Sequence, residues 1–273
     1  MPVPPHPERR PALVTGASSG IGAAVAVALA GAGRPVALGA RRTAVCEDLA
    51  ATIRARGGEA VALPLDVTSD GSVSFFVSEA EQALGETEVV VTCAGEVTPE
   101  NSHETSAPAF EAQLQLNLLG TQRLVAAVAP ATAARRRGDV VFVTSGVVRL
   151  PRPRMGAYVA AKNALEGLAE AMRMELEGTG VRASVLRPGP TLSGMGSTWS
   201  AEVLQRVLQR VLQRVLQRVL QRVLDDWTRF GPAGHDRFLR PRDVAVAVLA
   251  VVSMPRGAHV TLLEIEPEAP LNP

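Results

Sequence analysis

The chain holds a single tyrosine, Tyr158, and among its 28 lysine and arginine residues a single lysine, Lys162, four positions further on. On a helix such an i, i+4 pair projects from one face, which would set the ammonium beside the phenol. A phenol with a reference pKa of about 10 is a poor proton donor and a worse base at neutral pH, and a nearby positive charge favours its phenolate form. The pair is a candidate for general acid–base chemistry, and a compact ammonium on a flexible stem is a cation that the planar arginine fork does not replace. Ser145 stands thirteen residues before Tyr158, at the end of the apolar run Val140 to Thr144, where its hydroxyl could bond a reacting oxygen. Asn117 stands twenty-eight residues before Ser145, an amide within the apolar stretch Gln115-Leu116-Asn117-Leu118-Leu119-Gly120.

A second group of residues suits phosphate. Thr15-Gly16-Ala17-Ser18-Ser19-Gly20-Ile21-Gly22 lies between an apolar run and an Ala/Val-rich helical stretch. Glycines at such a strand-to-helix turn let backbone N–H groups approach a pyrophosphate at the helix N-terminus. The next apolar run ends in Leu38-Gly39-Ala40-Arg41-Arg42, with two guanidiniums and no carboxylate. A carboxylate there would take an adenosine 2′-hydroxyl, whereas guanidiniums suit a 2′-phosphate, so NADP(H) is the expected cofactor.

Gly16-x-x-x-Gly20-x-Gly22, Asn117, Ser145 and Tyr158-x-x-x-Lys162, at these separations, resemble the classical short-chain dehydrogenase/reductase family, and the similarity runs from about Ala12 to Glu266. The resemblance implies that Gly16, Ser18, Ser19, Gly20, Ile21 and Gly22 cradle the cofactor phosphates, with Arg41 and Arg42 toward the 2′-phosphate. It places Asp66 and Val67 near adenine, Ala94 and Gly95 against the cofactor, and Pro188, Gly189 and Thr191, followed by Ser193, at the nicotinamide carboxamide. Thr92-Cys93-Ala94-Gly95 departs from the family's Asn-Asn-Ala-Gly, which bears on local hydrogen bonding of the sheet. The implied mechanism moves a hydride between nicotinamide and a carbonyl or alcohol carbon. Tyr158 serves as general acid/base, Ser145 polarises the substrate oxygen, Lys162 lowers the phenol pKa and binds ribose, and Asn117 bends its helix or holds a water near the lysine. No metal is called for. The segments expected to line the substrate pocket, Gly146 to Gly156 and Leu192 to Trp199, supply Val147, Val148, Leu150, Met155, Leu192, Met195 and Trp199, which points to a mainly apolar ketone or secondary alcohol. Two other readings stay open: a catalytically silent NADP(H)-binding sensor or scaffold, and an epimerase or dehydratase of the family's extended branch.

These residues need a scaffold, and apolar periodicity gives one. Strands are expected at 11–16, 35–39, 60–65, 88–93, 139–144, 182–186 and 259–266, and helices at about 21–32, 43–56, 72–84, 107–134, 158–177 and 242–252. Such alternation predicts an α/β fold: one doubly wound, Rossmann-like domain over 11–273, with a mostly parallel seven-stranded sheet and helices on both faces. Residues 1–10 are Pro-rich and expected to form a flexible arm. Val203 to Leu224 is five copies of Val-Leu-Gln-Arg followed by Val-Leu. Each copy turns a helix by about 400°, so the apolar pair winds around the axis and no single burial face is encoded; a tolerated surface extension is expected.

Composition narrows the partners. A net charge of +1 over 273 residues argues against nucleic acid or an anionic membrane and for a small molecule. Two distant cysteines suggest neither a disulfide framework nor a zinc site, and no apolar stretch has the length of a span or signal peptide, so a cytoplasmic protein is expected. The resemblance adds a homo-oligomer, dimer or tetramer, built through the long helices 107–134 and 158–177.

Overall fold

The apolar runs become strands, the five interior ones buried on both faces. The computed structural model describes residues 9–193 and 238–268, so the Val-Leu-Gln-Arg segment, Met195 and Trp199 lie outside the described residues. In chain order the elements are β1 (Ala12–Thr15), α1 (Gly20–Gly31), β2 (Val36–Ala40), α2 (Thr43–Ala55), β3 (Ala60–Pro64), α3 (Asp70–Leu84), β4 (Val89–Thr92), α4 (Ala107–Leu114), α5 (Gly120–Ala134), β5 (Gly138–Val143), α6 (Gly156–Glu175), β6 (Val181–Pro188), α7 (Pro241–Val252) and β7 (Leu262–Ile265). The strands form one sheet in the order β3-β2-β1-β4-β5-β6-β7, every pairing parallel.

Alternate strand residues feed two cores. Ala12, Val14, Val89, Val91 and Val141 pack toward α1, α2 and α7, while Leu13, Val90, Val140 and Phe142 pack toward α3, α5 and α6. Burial on both faces is why the strands read as continuous apolar runs. The chain order reverses between β1 and β4, whose ends lie level at Thr15 and Thr92. In a doubly wound sheet, the crevice at the carboxyl ends of such a pair is where ligands bind.

The expected helix over 107–134 is interrupted. Gln115–Leu119 form a π-helical turn between α4 and α5, with Asn117 inside it. The Asn117 Nδ2 donates to the carbonyl of Gln113, four residues back, at 3.0 Å. A side-chain donor on that carbonyl competes with the backbone ladder, and the helix opens by one residue at this point.

The N-terminal boundary needs correction. The arm expected over 1–10 does not extend to its last residue: Arg10 is buried, donating to Asp139, to Glu88 Oε2 at 3.0 Å and to the Val252 carbonyl at 2.8 Å. Arg182 shares Asp139 through Nε at 2.6 Å and Nη2 at 3.0 Å, and its Nη1 donates to the carbonyls of Met254, Pro255 and Ala258. These guanidiniums hold the end of α7 and the turn after it, where cations complement exposed helix carbonyls. The last strand is also shorter than expected, four residues instead of eight.

Candidate active site and cofactor cleft

The turn after β1 is shaped for close approach. Gly16 has φ +67°, a left-handed conformation that favours glycine. Gly22 lies against the Gly16 carbonyl so closely that a Cβ would overlap its oxygen. This leaves the first turn of α1, with its unpaired N–H groups, open to a cleft of about 320 Å³, a volume within the range of ligand sites. Gly22→Ala should therefore cost about 1–3 kcal/mol of stability by overpacking and loosen the turn; denaturant unfolding with a dinucleotide titration checks it, and a variant as stable and as tightly binding as the parent would refute the close-contact argument.

All the residues expected to touch the phosphates and adenosine line this one cleft: the glycine turn with Ser18, Ser19 and Ile21, Arg41 and Arg42 beyond β2, Asp66 and Val67 beyond β3, and Ala94 and Gly95 beyond β4. Arg42 lies over the turn, donating to Ser18 Oγ at 3.0 Å and Ser19 Oγ at 2.9 Å. The Asp66 carboxylate accepts from the Thr68 hydroxyl and backbone N–H, and these bonds, with the Arg41 charge, hold its pKa below the usual range. Sequence reasoning missed Leu116, Ser193 as a wall residue, and Glu96. The Ser193 carbonyl is packed on Gly20, so the segment after β6 crosses over the phosphate turn. Glycine approach, orphan N–H donors and paired guanidiniums together fit a phosphorylated dinucleotide.

Thr92 and Cys93, in place of two amides, leave the sheet intact. The Thr92 hydroxyl donates to the Val141 carbonyl at 3.4 Å, and Thr15 Oγ1 accepts from the Ala94 N–H at 3.0 Å, tying β1 to the turn after β4. Burial pushes the Cys93 thiol up to about 12, so it stays neutral despite the pull of Lys162.

The four candidate catalytic residues cluster next to Gly95, which lines the cleft. Ser145 closes β5 and caps a short 3-10 turn over Gly146–Val148, its Oγ accepting from the Val147 N–H at 3.4 Å. Tyr158 sits on the first turn of α6, packed with Val97 and Val147 and flanked by Met155 and Val159. Of the expected pocket residues, Val147 and Met155 meet the tyrosine, whereas Leu150 and Leu192 are exposed; Val97 was not expected. Lys162 is buried one turn on, its Nζ donating to the Val143 carbonyl at 2.9 Å and lying 5.6 Å from the Tyr158 ring centroid. Asn117 Oδ1 accepts from the Glu96 N–H at 3.1 Å while Nδ2 donates to the Glu96 carbonyl at 2.9 Å, so this amide clamps the loop after β4.

Burial dominates the electrostatics of the Tyr158/Lys162 pair. Burial drives Tyr158 up to about 12, a hydrogen bond with Ser145 offsetting only part of the rise. Lys162 is itself driven down to about 8 by burial, and its ammonium is turned toward a backbone carbonyl. A lysine depressed in the native state gives an unfolded chain that binds more protons between pH 8 and 10.5, so stability should rise with pH across that window. Lys162→Met should flatten this slope and raise stability at pH 7 by about 1–2 kcal/mol, the relieved charge burial exceeding the lost bond to Val143. Denaturant midpoints at pH 7 and 10 test it; a less stable variant at pH 7 would contradict it.

An ion-pair chain surrounds the serine. Thr144 Oγ1 donates to Glu166 at 2.8 Å, Arg187 bridges Glu166 (2.6 Å) and Glu264 (3.3 Å), and Arg149 bridges Glu264 (2.9 Å) and Glu266 (3.6 Å). The Glu266 carboxylate rests on Gly189 and lies 3.3 Å from where a Cβ on Gly146 would stand. Pro188 and Gly189 are thus held against Gly146, the residue after Ser145, and the Thr191 hydroxyl donates to the Gly189 carbonyl at 2.9 Å.

The profile described as short chain dehydrogenase matches residues 10–204. Glycine betaine reductase ATRR of Emericella nidulans is 32% identical over 97% of this chain, which spans 19% of that protein; a short chain dehydrogenase of Pseudocercospora fijiensis is 36% identical over 68% of the chain and 61% of its own length. The 2,3-dihydro-2,3-dihydroxybenzoate dehydrogenase of Bacillus subtilis is 28% identical over 93% of both chains. Among solved structures, the alcohol dehydrogenase of Thermococcus sibiricus complexed with 5-hydroxy-NADP superposes with a TM-score of 0.78 at 28% identity, covering 97% of this chain and 100% of that one.

Proposed function

The chain belongs to the short-chain dehydrogenase family, and we propose that it is an NADP(H)-dependent oxidoreductase interconverting a mainly apolar carbonyl compound and the corresponding secondary alcohol. The observation that carries this is the cluster of Ser145, Tyr158 and Lys162, whose lysine ammonium lies beside Gly95 of the cleft that Arg41 and Arg42 also line, with no acid on β2. The 5-hydroxy-NADP of the Thermococcus structure supports the cofactor reading. Bound nicotinamide supplies the hydride in reduction and takes it up in oxidation.

The protein's own part is proton handling and orientation. With its pKa near 12, Tyr158 is a neutral phenol at pH 7 and acts as the donor to the carbonyl oxygen. Ser145 bonds that oxygen and polarises the carbonyl. Lys162, charged below about pH 8, offsets the negative charge left on Tyr158 as the proton departs. Asn117 positions the loop after β4 beside the lysine. Val97, Val147 and Met155 around the phenol favour an apolar substrate. The enzyme works as a homo-oligomer in the cytoplasm. Oxidation of NADPH and NADH with purified protein against a panel of apolar ketones tests the reading: faster NADPH consumption with hydrophobic ketones is expected, and good turnover confined to small polar sugars would overturn the substrate class.

A further inference from the structure

Glu96 is a carboxylate where the second-strand pattern promises none. Its backbone is fixed on both sides by Asn117, and its side chain lines the cofactor cleft together with Arg41. Arg41 Nη2 and Glu96 Oε2 stand 4.0 Å apart. Because β1 lies between β2 and β4, this pair spans the carboxyl end of β1, above the crevice. The second arginine is folded back onto Ser18 and Ser19 at the phosphate turn of the same cleft. Arg41 therefore faces the adenosine end in company with an acid delivered from β4.

We propose that Glu96 is a specificity-determining residue: paired with Arg41, it weakens the cleft's preference for a 2′-phosphate and gives a 2′-hydroxyl a carboxylate acceptor, so that the protein binds NAD(H) as well as NADP(H). The chemistry of the two ligand groups differs in sign. A 2′-phosphate carries only acceptor oxygens and a negative charge, so it is drawn to Arg41 and repelled by Glu96. A 2′-hydroxyl donates, and a carboxylate is the group that receives it in NAD-binding members of such folds. Asp66, whose low pKa owes something to Arg41, adds a second acid beside the same cation.

The proposal rests on Arg41 meeting the 2′-phosphate, and calorimetric titration of the whole protein with NADP+ and with NAD+, without substrate, separates the two claims. Glu96→Gln should tighten NADP+ and weaken NAD+, raising the ratio of their affinities about five-fold, the scale of a partly exposed charge pair. Arg41→Ala should weaken NADP+ alone. If Arg41→Ala weakens NADP+ but Glu96→Gln leaves the ratio unchanged, or moves both cofactors by the same factor, the proposal is wrong and the NADP(H) reading stands. If Arg41→Ala leaves NADP+ binding unaltered, that reading of Arg41 fails and the proposal falls with it.

Discussion

Tyr158→Phe should lower carbonyl reduction about a thousand-fold while cofactor binding and fold survive. General acid catalysis by a positioned side chain contributes about 100- to 10,000-fold, and a thousand-fold loss corresponds to about 4 kcal/mol of transition-state stabilisation. Phenylalanine keeps the ring that packs with Val97, Val147 and Met155, and loses only the hydroxyl with its proton. No second phenol exists in the chain to take its place. Steady-state rates beside NADPH titration check the prediction. A variant retaining more than a tenth of the parental rate would remove Tyr158 from proton transfer. A parent that binds NADPH and reduces no carbonyl would instead point to the silent sensor.

Asp139→Ala should destabilise the fold by about 3–5 kcal/mol, the cost of breaking a buried ion pair by removing one partner. Asp139 is 2% exposed and is shared by Arg10 and Arg182 at the N-terminal ends of β5 and β6. Arg34 is buried in the same cluster, and burial together with the Arg10 charge brings its pKa down to about 10. Without Asp139, three buried guanidiniums face one another with Glu88 as the remaining acid beside Arg10. Arg34→Met should by contrast be neutral or stabilising, since its Nε and Nη1 have no hydrogen-bond partner. Urea unfolding of the two variants decides: a loss below about 1 kcal/mol for Asp139→Ala would mean that the network is screened by water.

Local features were legible in the sequence where one element holds the information. The glycine turn, the arginines after β2 and the Tyr158/Lys162 pair each sit within one strand-turn-helix or one helical turn, so spacing alone positions them. Residues that act across elements were not legible. The chain from Thr144 to Glu266 draws on β6, α6, β7 and the loops after β5 and β7, and only the folded sheet brings them together. Signals for it existed: Glu166 is one helical turn beyond Lys162 on the same face, and Arg187 is a charge within a buried interior strand, which requires a partner. Arg182 and Asp139 carried the same signal, and Arg10, read as part of an arm, proves to be their partner. Glu96 carries no such signal, because the acid that meets ribose in these folds follows the second strand and Glu96 follows the fourth. The π-helical turn at Asn117 could be anticipated only as a bend, since its form depends on the competing bond to Gln113.

Hydride transfer to a carbonyl carbon is tested most directly by the fate of deuterium from NADPH dideuterated at the nicotinamide C4 position, with an apolar ketone as acceptor. Stoichiometric appearance of one deuterium at the carbinol carbon is expected, about a thousand-fold slower in Tyr158→Phe. Retention of the label in the cofactor, with the ketone recovered unchanged across the panel, would contradict it.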